Sequence, residues 1–121
     1  MATYNYVISS LVHDNIYSFY TNVSKKYRHT YSLENMFKNI NDAFDSIYRI
    51  ENGLMRRNPT MSRWTDYFMA NEGKWYFAYR IDGDTIYVED ACHAQNIHEQ
   101  REFDLTKFAP LLFMKRLNKI K

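Results

Sequence analysis

Hydrophobic and polar positions alternate at the start of the chain and then change to a helical period. In residues 3–11 (TYNYVISSL) aromatic and β-branched residues alternate with polar or small ones, which predicts a strand. From residue 12 to residue 27 the apolar positions recur at spacings of three and four, which predicts an amphipathic helix. A second stripe of this period covers residues 33–50, with Ser32 as a candidate N-cap and Gly53 as its C-terminal stop.

The remaining pattern predicts a helix hairpin followed by three strands. The connection around residues 28–31 is short, so the two helices should be antiparallel neighbours. Residues 54–64 (LMRRNPTMSRW) have no clear period and are expected to form an exposed loop. Strands are then predicted at residues 64–70, 74–82 and 85–93. The predicted fold class is α+β: an N-terminal strand, an antiparallel two-helix hairpin packed on an antiparallel sheet of about four strands, and a possible C-terminal helix that begins near Thr106.

The register of the last two strands decides which side chains share a face of the sheet. A two-residue turn at Asp82 and Gly83 places one set of mostly apolar residues towards the helices. That set is Trp75, Phe77, Tyr79, Ile81, Ile86, Val88, Asp90 and Cys92. The other set should form a polar, open face: Tyr76, Ala78, Arg80, Thr85, Tyr87, Glu89 and His93. An antiparallel sheet with helices on one side commonly leaves its other side in solvent.

Composition narrows the class of protein. A chain of 121 residues with 45% hydrophobic residues suits a single domain over residues 1–121. The single Cys92 excludes an intrachain disulfide, and no apolar run approaches the ~20 residues that cross a bilayer. The start of the chain lacks the features of a signal peptide, so a cytoplasmic location is expected. The net charge of +2 is uneven, because residues 101–121 hold six Lys or Arg and two acids.

The strand hairpin and the loop before it carry a resemblance to a known family. The hairpin WYFAYRIDGDTIYVEDACH, residues 75–93, ends in a histidine, and an arginine-bearing loop precedes it. With the order β, α, α, β, β, β, these segments resemble the RelE/ParE toxin superfamily of bacterial toxin–antitoxin modules over roughly residues 3–98. The resemblance implies a type II toxin that forms a hetero-oligomer with a cognate antitoxin. In the RelE-like branch it also implies an endoribonuclease that cuts mRNA on the ribosome.

Such cleavage needs a base for the ribose 2′-hydroxyl, an acid for the leaving 5′-oxygen and cations for the phosphorane, but no metal or cofactor. His93 and His98 titrate nearest neutral pH and are the candidate acid and base. Arg80 is predicted to hold a phosphate, and Glu89 to orient a histidine or serve as the base. The candidate RNA-binding residues are Arg56, Arg57 and Arg63 in the loop, for backbone contacts, and Tyr76 and Tyr87, for base stacking.

Each of these residues also has a structural interpretation. The two histidines can cap backbone groups at a strand end, and Arg80 with Glu89 can form a cross-strand salt bridge. The arginine loop can be a solvated or an antitoxin-binding surface. A zinc site is not supported, since His93 and His98 are five residues apart without a nearby Cys pair. Two other functions stay open: a gyrase-inhibiting ParE-like toxin, and a non-catalytic antitoxin-binding domain without toxicity.

Overall fold

The computed structural model describes residues 3–96 and confirms the α+β fold. The elements are β1 (Asn5–Ile8), α1 (Ser10–Lys26), α2 (Leu33–Ile47), β2 (Phe68–Glu72), β3 (Trp75–Asp82) and β4 (Thr85–His93), with single 3-10 turns at Ile50–Asn52, Ser62–Trp64 and Ala94–Asn96. The predicted C-terminal helix near Thr106 and the basic segment 101–121 lie outside the described residues.

Serine side chains start both helices. The Ser9 hydroxyl accepts a hydrogen bond from the Val12 amide at 3.3 Å, and the Ser32 hydroxyl, the predicted N-cap, accepts one from the Asn35 amide at 3.0 Å. The second helix ends at Ile47, well before Gly53, because a 3-10 turn replaces its last predicted turn. The helices are therefore held at their first turns by caps that are readable in the sequence.

The four strands form one sheet in the order β1-β4-β3-β2. Strands β2, β3 and β4 are antiparallel neighbours, whereas β1 pairs in parallel with β4. The sheet is thus mixed, because the helix hairpin carries the chain from β1 across the sheet before the antiparallel meander begins. The strand ladder beside β4 stops at the pair Ile8 and Val88, so within residues 3–96 the last residues of β4 have no strand neighbour on that side.

The helix hairpin covers one face of this sheet and encloses the main core. Buried residues of α1 and α2 pack against buried residues of the three antiparallel strands and of β4 in particular. The fully or almost fully buried members are Val12, Ile16, Tyr20, Ile40, Ala43, Ile47, Ile50, Ala70, Trp75, Phe77, Tyr79, Ile86, Val88 and Ala91. The apolar stripes of both predicted helices therefore face the sheet, as expected from their period.

The opposite face of the sheet is only partly open, which corrects the prediction that residues 54–64 form an exposed loop. Met61 and Trp64 from this loop are each 1% exposed and pack on Met69, Ala78 and Cys92. We call this group the Trp64 cluster. The Trp64 cluster forms because β2, β3 and β4 present apolar side chains on both faces of the sheet. The face opposite the helices therefore also has to be covered to exclude water.

A β-bulge in β4 changes the predicted faces beyond Val88. The two-residue turn lies at Gly83 and Asp84, one residue later than predicted, with a φ of 63° at Gly83, as a glycine-first hairpin turn requires. Val88 still pairs with Tyr79, but Ala78 pairs with Asp90, so Glu89 is an extra residue.

This extra residue reverses the alternation of side chains in the second half of β4. Asp90 and Cys92, predicted on the helix side, lie on the face of the Trp64 cluster. His93, predicted on the open face, pairs with Trp75 and lies on the helix side. Periodicity could not show this, because a period of two carries no mark of a single inserted residue.

Candidate functional site

His93 is held in an aromatic environment at the end of β4. Its ring stacks on Phe19 of α1, with the centroids 4.0 Å apart and the planes 9° from parallel. The rings of Trp75 and Tyr20 meet it edge-on at 5.2 and 6.3 Å. The amide of Gln95 donates a hydrogen bond to Nδ1 of His93 at 3.0 Å. Position and ring orientation are therefore fixed by α1, by β3 and by the turn that follows β4.

These surroundings favour the neutral form of the imidazole. Burial lowers the pKa of His93 below its ordinary value, and the nearby charge of Lys74 lowers it further. Because Nδ1 accepts the Gln95 amide, the neutral ring carries its proton on Nε2. In this arrangement His93 is a neutral hydrogen-bond donor, and Nε2 could act as a base only in the other tautomer, in which Nδ1 holds the proton and no longer accepts from the Gln95 amide.

Arg63 and His93 line the same groove. This groove, of about 240 Å³, lies between α1, the end of β4 and the Ser62–Trp64 turn. Its other polar walls are Asn15, Ser18, Asn22 and Asn96. We call it the Arg63–His93 groove. Among the described residues that line it there is no carboxylate, so its ionisable side chains are a guanidinium, an imidazole and the Cys92 thiol. Burial raises the pKa of that thiol to about 11, which keeps it neutral.

Asp90 connects the three parts of the chain that build this groove. Its Oδ1 accepts a hydrogen bond from Asn15 Nδ2 of α1 at 2.8 Å, and its Oδ2 accepts one from Trp64 Nε1 at 2.9 Å. The Arg63 guanidinium lies 3.6 Å from Oδ2 and 5.9 Å from the centre of the Trp64 ring. Because Asp90 already has three neutral donors, the third being the Ala91 amide at 2.8 Å from Oδ1, Arg63 is positioned by the carboxylate and keeps hydrogen-bonding capacity towards the groove.

Arg80 and Glu89 lie elsewhere on the molecule. Arg80 Nε and Glu89 Oε2 are 2.9 Å apart, and the guanidinium stacks over the Tyr87 ring at 4.1 Å. The predicted placement of Arg80 beside His93 on one open face is wrong. They occupy opposite faces, and Arg80 is five residues along β3 from Trp75, the partner of His93, or roughly 17 Å at the rise of a strand. The alternative interpretation, a cross-strand ion pair, describes the observed contact.

The other predicted RNA-binding residues are dispersed. Arg57 forms a bridge with Met69 at the outer edge of β2, and Arg56, with φ 59°, donates its amide to the Tyr79 hydroxyl at 2.8 Å. Tyr76 packs on the Trp64 cluster, and Tyr87 lies under Arg80. His98 lies outside the described residues. Of the predicted site residues, the structure thus places Arg63 and His93 on one groove, and it brings Arg80, Glu89 and Tyr87 into contact elsewhere.

Several residues at this site were missed from the sequence. Asn15, Phe19 and Asn22 line the groove from one side of α1, and Lys74 acts on His93 from the turn between β2 and β3. A signal for the first three was available. They stand at i, i+4 and i+7, a second helical stripe beside the buried one, and two of them are amides.

The comparisons with known proteins add no relative. No known family model matches the chain, and no curated protein is significantly similar to it. Within residues 3–96, none of the helices is long and apolar enough to cross a membrane. In the same part of the chain, no three His, Cys, Asp or Glu residues are grouped so that they could hold a metal ion.

Proposed function

We propose that this protein is the toxin of a type II toxin–antitoxin module and cuts mRNA on the ribosome at the Arg63–His93 groove. The observation that carries the proposal is the meeting of Arg63 and His93 in a groove that is also lined by the polar side chains of Asn15, Ser18, Asn22 and Asn96, with no carboxylate among its described lining residues. An RNA phosphate is favoured in such a groove, because guanidinium and imidazole donors both pair with phosphate oxygens. The element order that resembles RelE/ParE toxins supports the same assignment.

The two side chains suit different parts of the cleavage step. When the 2′-hydroxyl attacks the adjacent phosphorus, negative charge grows on the non-bridging oxygens. The planar guanidinium of Arg63 can bind two of these oxygens, as it is drawn towards the groove wall by Asp90. The Nε2–H of the neutral His93 can donate a hydrogen bond to a phosphate oxygen, whereas proton transfer to the leaving 5′-oxygen requires the protonated imidazolium, which returns to its neutral form in that step. His98 keeps its predicted role as the partner in acid–base transfer, with Arg80 and Glu89 no longer needed at the site.

The test is induced expression of four proteins: wild type, Arg63→Gln, His93→Gln and Arg80→Gln. Arg80→Gln is the matched control, since it also removes an arginine that is paired with a carboxylate. We expect wild type and the control to arrest growth with new 5′ ends inside translated messages. The two groove variants should abolish both effects while keeping wild-type circular dichroism. Equal loss of cleavage in the control would contradict this location of the site.

A non-catalytic, antitoxin-binding domain is the second candidate, and one observation favours it. Helix α2 carries two exposed apolar side chains one turn apart, Leu33 and Phe37, which are 63% and 55% exposed. Exposed apolar side chains in a row along a helix commonly mark a protein-binding surface. Unchanged growth on expression would select this candidate. Arrest without new 5′ ends would instead select the gyrase-inhibiting activity of the ParE-like branch.

A further inference from the structure

A second groove begins on the other side of His93. It has a volume of about 420 Å³, a size that is common for small-molecule sites, and lies between the end of α1, the start of α2 and the turn after β4. Its characteristic side chains are Lys26, Tyr27, Tyr31 and Lys74, and we call it the lysine–tyrosine groove. The two grooves share Phe19, Asn22, His93 and Asn96 as walls, so they are continuous past the imidazole.

The charges around this second groove favour an anion. Lys26 and Lys74 line it, and its described walls contain no acid. Within residues 3–96, neither lysine has a carboxylate within 4.0 Å, and the four ion pairs found there involve other cations. A third groove shares Tyr20, Asn39, Lys74 and His93 with this one, and the acids Asp42 and Asp45 line it farther along α2, outside the walls of the lysine–tyrosine groove. Two unpaired ammonium groups beside a neutral imidazole can therefore attract a phosphate.

The aromatic side chains of the same groove suit an unpaired base. Tyr27 is 50% exposed, and Nζ of Lys26 lies 5.4 Å from its ring centre. Tyr27 could therefore stack on a base while the adjacent Lys26 binds a phosphate. Asn39 Nδ2 donates to the Tyr31 hydroxyl at 2.5 Å, which holds the second ring in place. Tyrosine faces stack on nucleobases of any sequence, and amide side chains can bind the edges of the bases.

We propose that the lysine–tyrosine groove binds the base and phosphate of the nucleotide next to the one cut at His93, and that the substrate is single-stranded RNA. This inference rests on the proposed function and deepens it. The strand would pass from Arg63 over His93 to Lys74 and Lys26. Single-stranded RNA is required because the base must be free to stack, and paired bases in a duplex are not accessible to a side chain.

Binding can be measured separately from cleavage. A short fluorescent RNA of mixed sequence, with its 2′-hydroxyls methylated so that it cannot be cut, is titrated with the full-length protein by anisotropy at several salt concentrations. The variants are the pair Lys26→Gln with Lys74→Gln, and Tyr27→Leu. Their matched controls are Lys25→Gln, an exposed lysine one residue away that does not line the groove, and Tyr17→Leu, which is about equally exposed.

We expect the double lysine variant to bind about tenfold more weakly and to flatten the slope of log affinity against log salt by about 0.7, since the groove binds one phosphate and each phosphate contact on a single strand contributes about 0.7. Tyr27→Leu should weaken binding about tenfold with an unchanged salt slope, because stacking is not ionic. The controls should remain within about twofold of wild type, as surface substitutions generally do.

Three results would overturn the inference. They are equal effects of the groove variants and their controls, equal affinity for double-stranded RNA, and no binding of the methylated RNA by wild type. None of these results bears on the mapping of 5′ ends in cells, so cleavage at His93 could stand without this groove. Conversely, lysine-dependent binding without any cleavage in cells would keep the groove and reject the endonuclease.

Discussion

Arg63 and Arg80 each lie next to a carboxylate at the bulge of β4, but the two arginines differ in how far they remain available to bind a ligand. Glu89 accepts a hydrogen bond from Arg80 Nε at 2.9 Å, and Tyr87 covers one face of the guanidinium, so this arginine is held directly by its carboxylate. The Asp90 carboxylate accepts hydrogen bonds from Asn15 and Trp64. The Arg63 guanidinium lies 3.6 Å from Oδ2, beside an open groove. The hydrogen-bonding state of the acid, more than the exposure of the arginine, distinguishes a structural pair from a candidate binding group.

The largest loss of stability is expected from a substitution in the Trp64 cluster, which lies beside Arg63. Trp64→Ala should lower the free energy of unfolding by about 3–5 kcal/mol, because it empties a buried aromatic site and removes the donor to Asp90. Denaturant titration followed by circular dichroism measures this loss. Tyr87→Ala, on the Arg80 side, is the comparison and should cost far less. Similar costs would show that the loop of residues 54–64 does not form a core.

A smaller effect should separate the two neighbouring acids. Asp90→Ala leaves Trp64 Nε1 without its acceptor and Asn15 with only the Ala91 carbonyl, and should cost about 1–3 kcal/mol, whereas Glu89→Ala breaks an exposed pair worth about 0.2–1 kcal/mol. Unfolding of both variants under the same conditions gives the difference. If Glu89→Ala proved the more damaging, Arg80 would be the arginine on which the fold depends.

The smallest effect concerns pH. Because the pKa of His93 is lowered in the fold, mainly by burial, the unfolded chain takes up a proton at this position before the folded chain does. Its contribution to stability is therefore complete above an unfolded pKa of 6.5 and is lost as the pH falls through the lower folded pKa. Urea unfolding between about pH 7 and pH 5 should show a decline that His93→Gln reduces. An equal decline in both proteins would place His93 in solvent.

The sequence was sufficient to predict the helices and strands but not which side chains lie on each face of the sheet. Strand β4 was predicted at its observed bounds, and Ser32 is the N-cap that the pattern indicated. These features are local, because they depend on alternation or on one hydroxyl near a first turn. The parallel pairing of β1 with β4 is a long-range choice that the strand pattern does not encode.

The candidate site was only partly predictable for the same reason. Arg63 and His93 were recognised by chemistry, but their shared groove depends on Trp64 being buried and on one extra residue in β4. A single tryptophan in an aperiodic, arginine-rich segment gives no periodic signal for burial. The grouping of Arg80 with His93 failed because the sequence does not mark the bulge, although all the residues concerned were assigned to the correct strands.

The bulge also has a meaning for the gene that encodes this strand. On either side of Glu89 the pairing is regular, because Val88 pairs with Tyr79 and Asp90 pairs with Ala78. If the single codon for Glu89 were deleted, the two strands would therefore pair without a bulge. A single in-frame deletion at this point would thus leave His93 opposite Trp75, whereas the same deletion in the bulge-free strand β3 would turn every later side chain to the other face. The position of His93 at the end of β4 should therefore survive the deletion of this one codon.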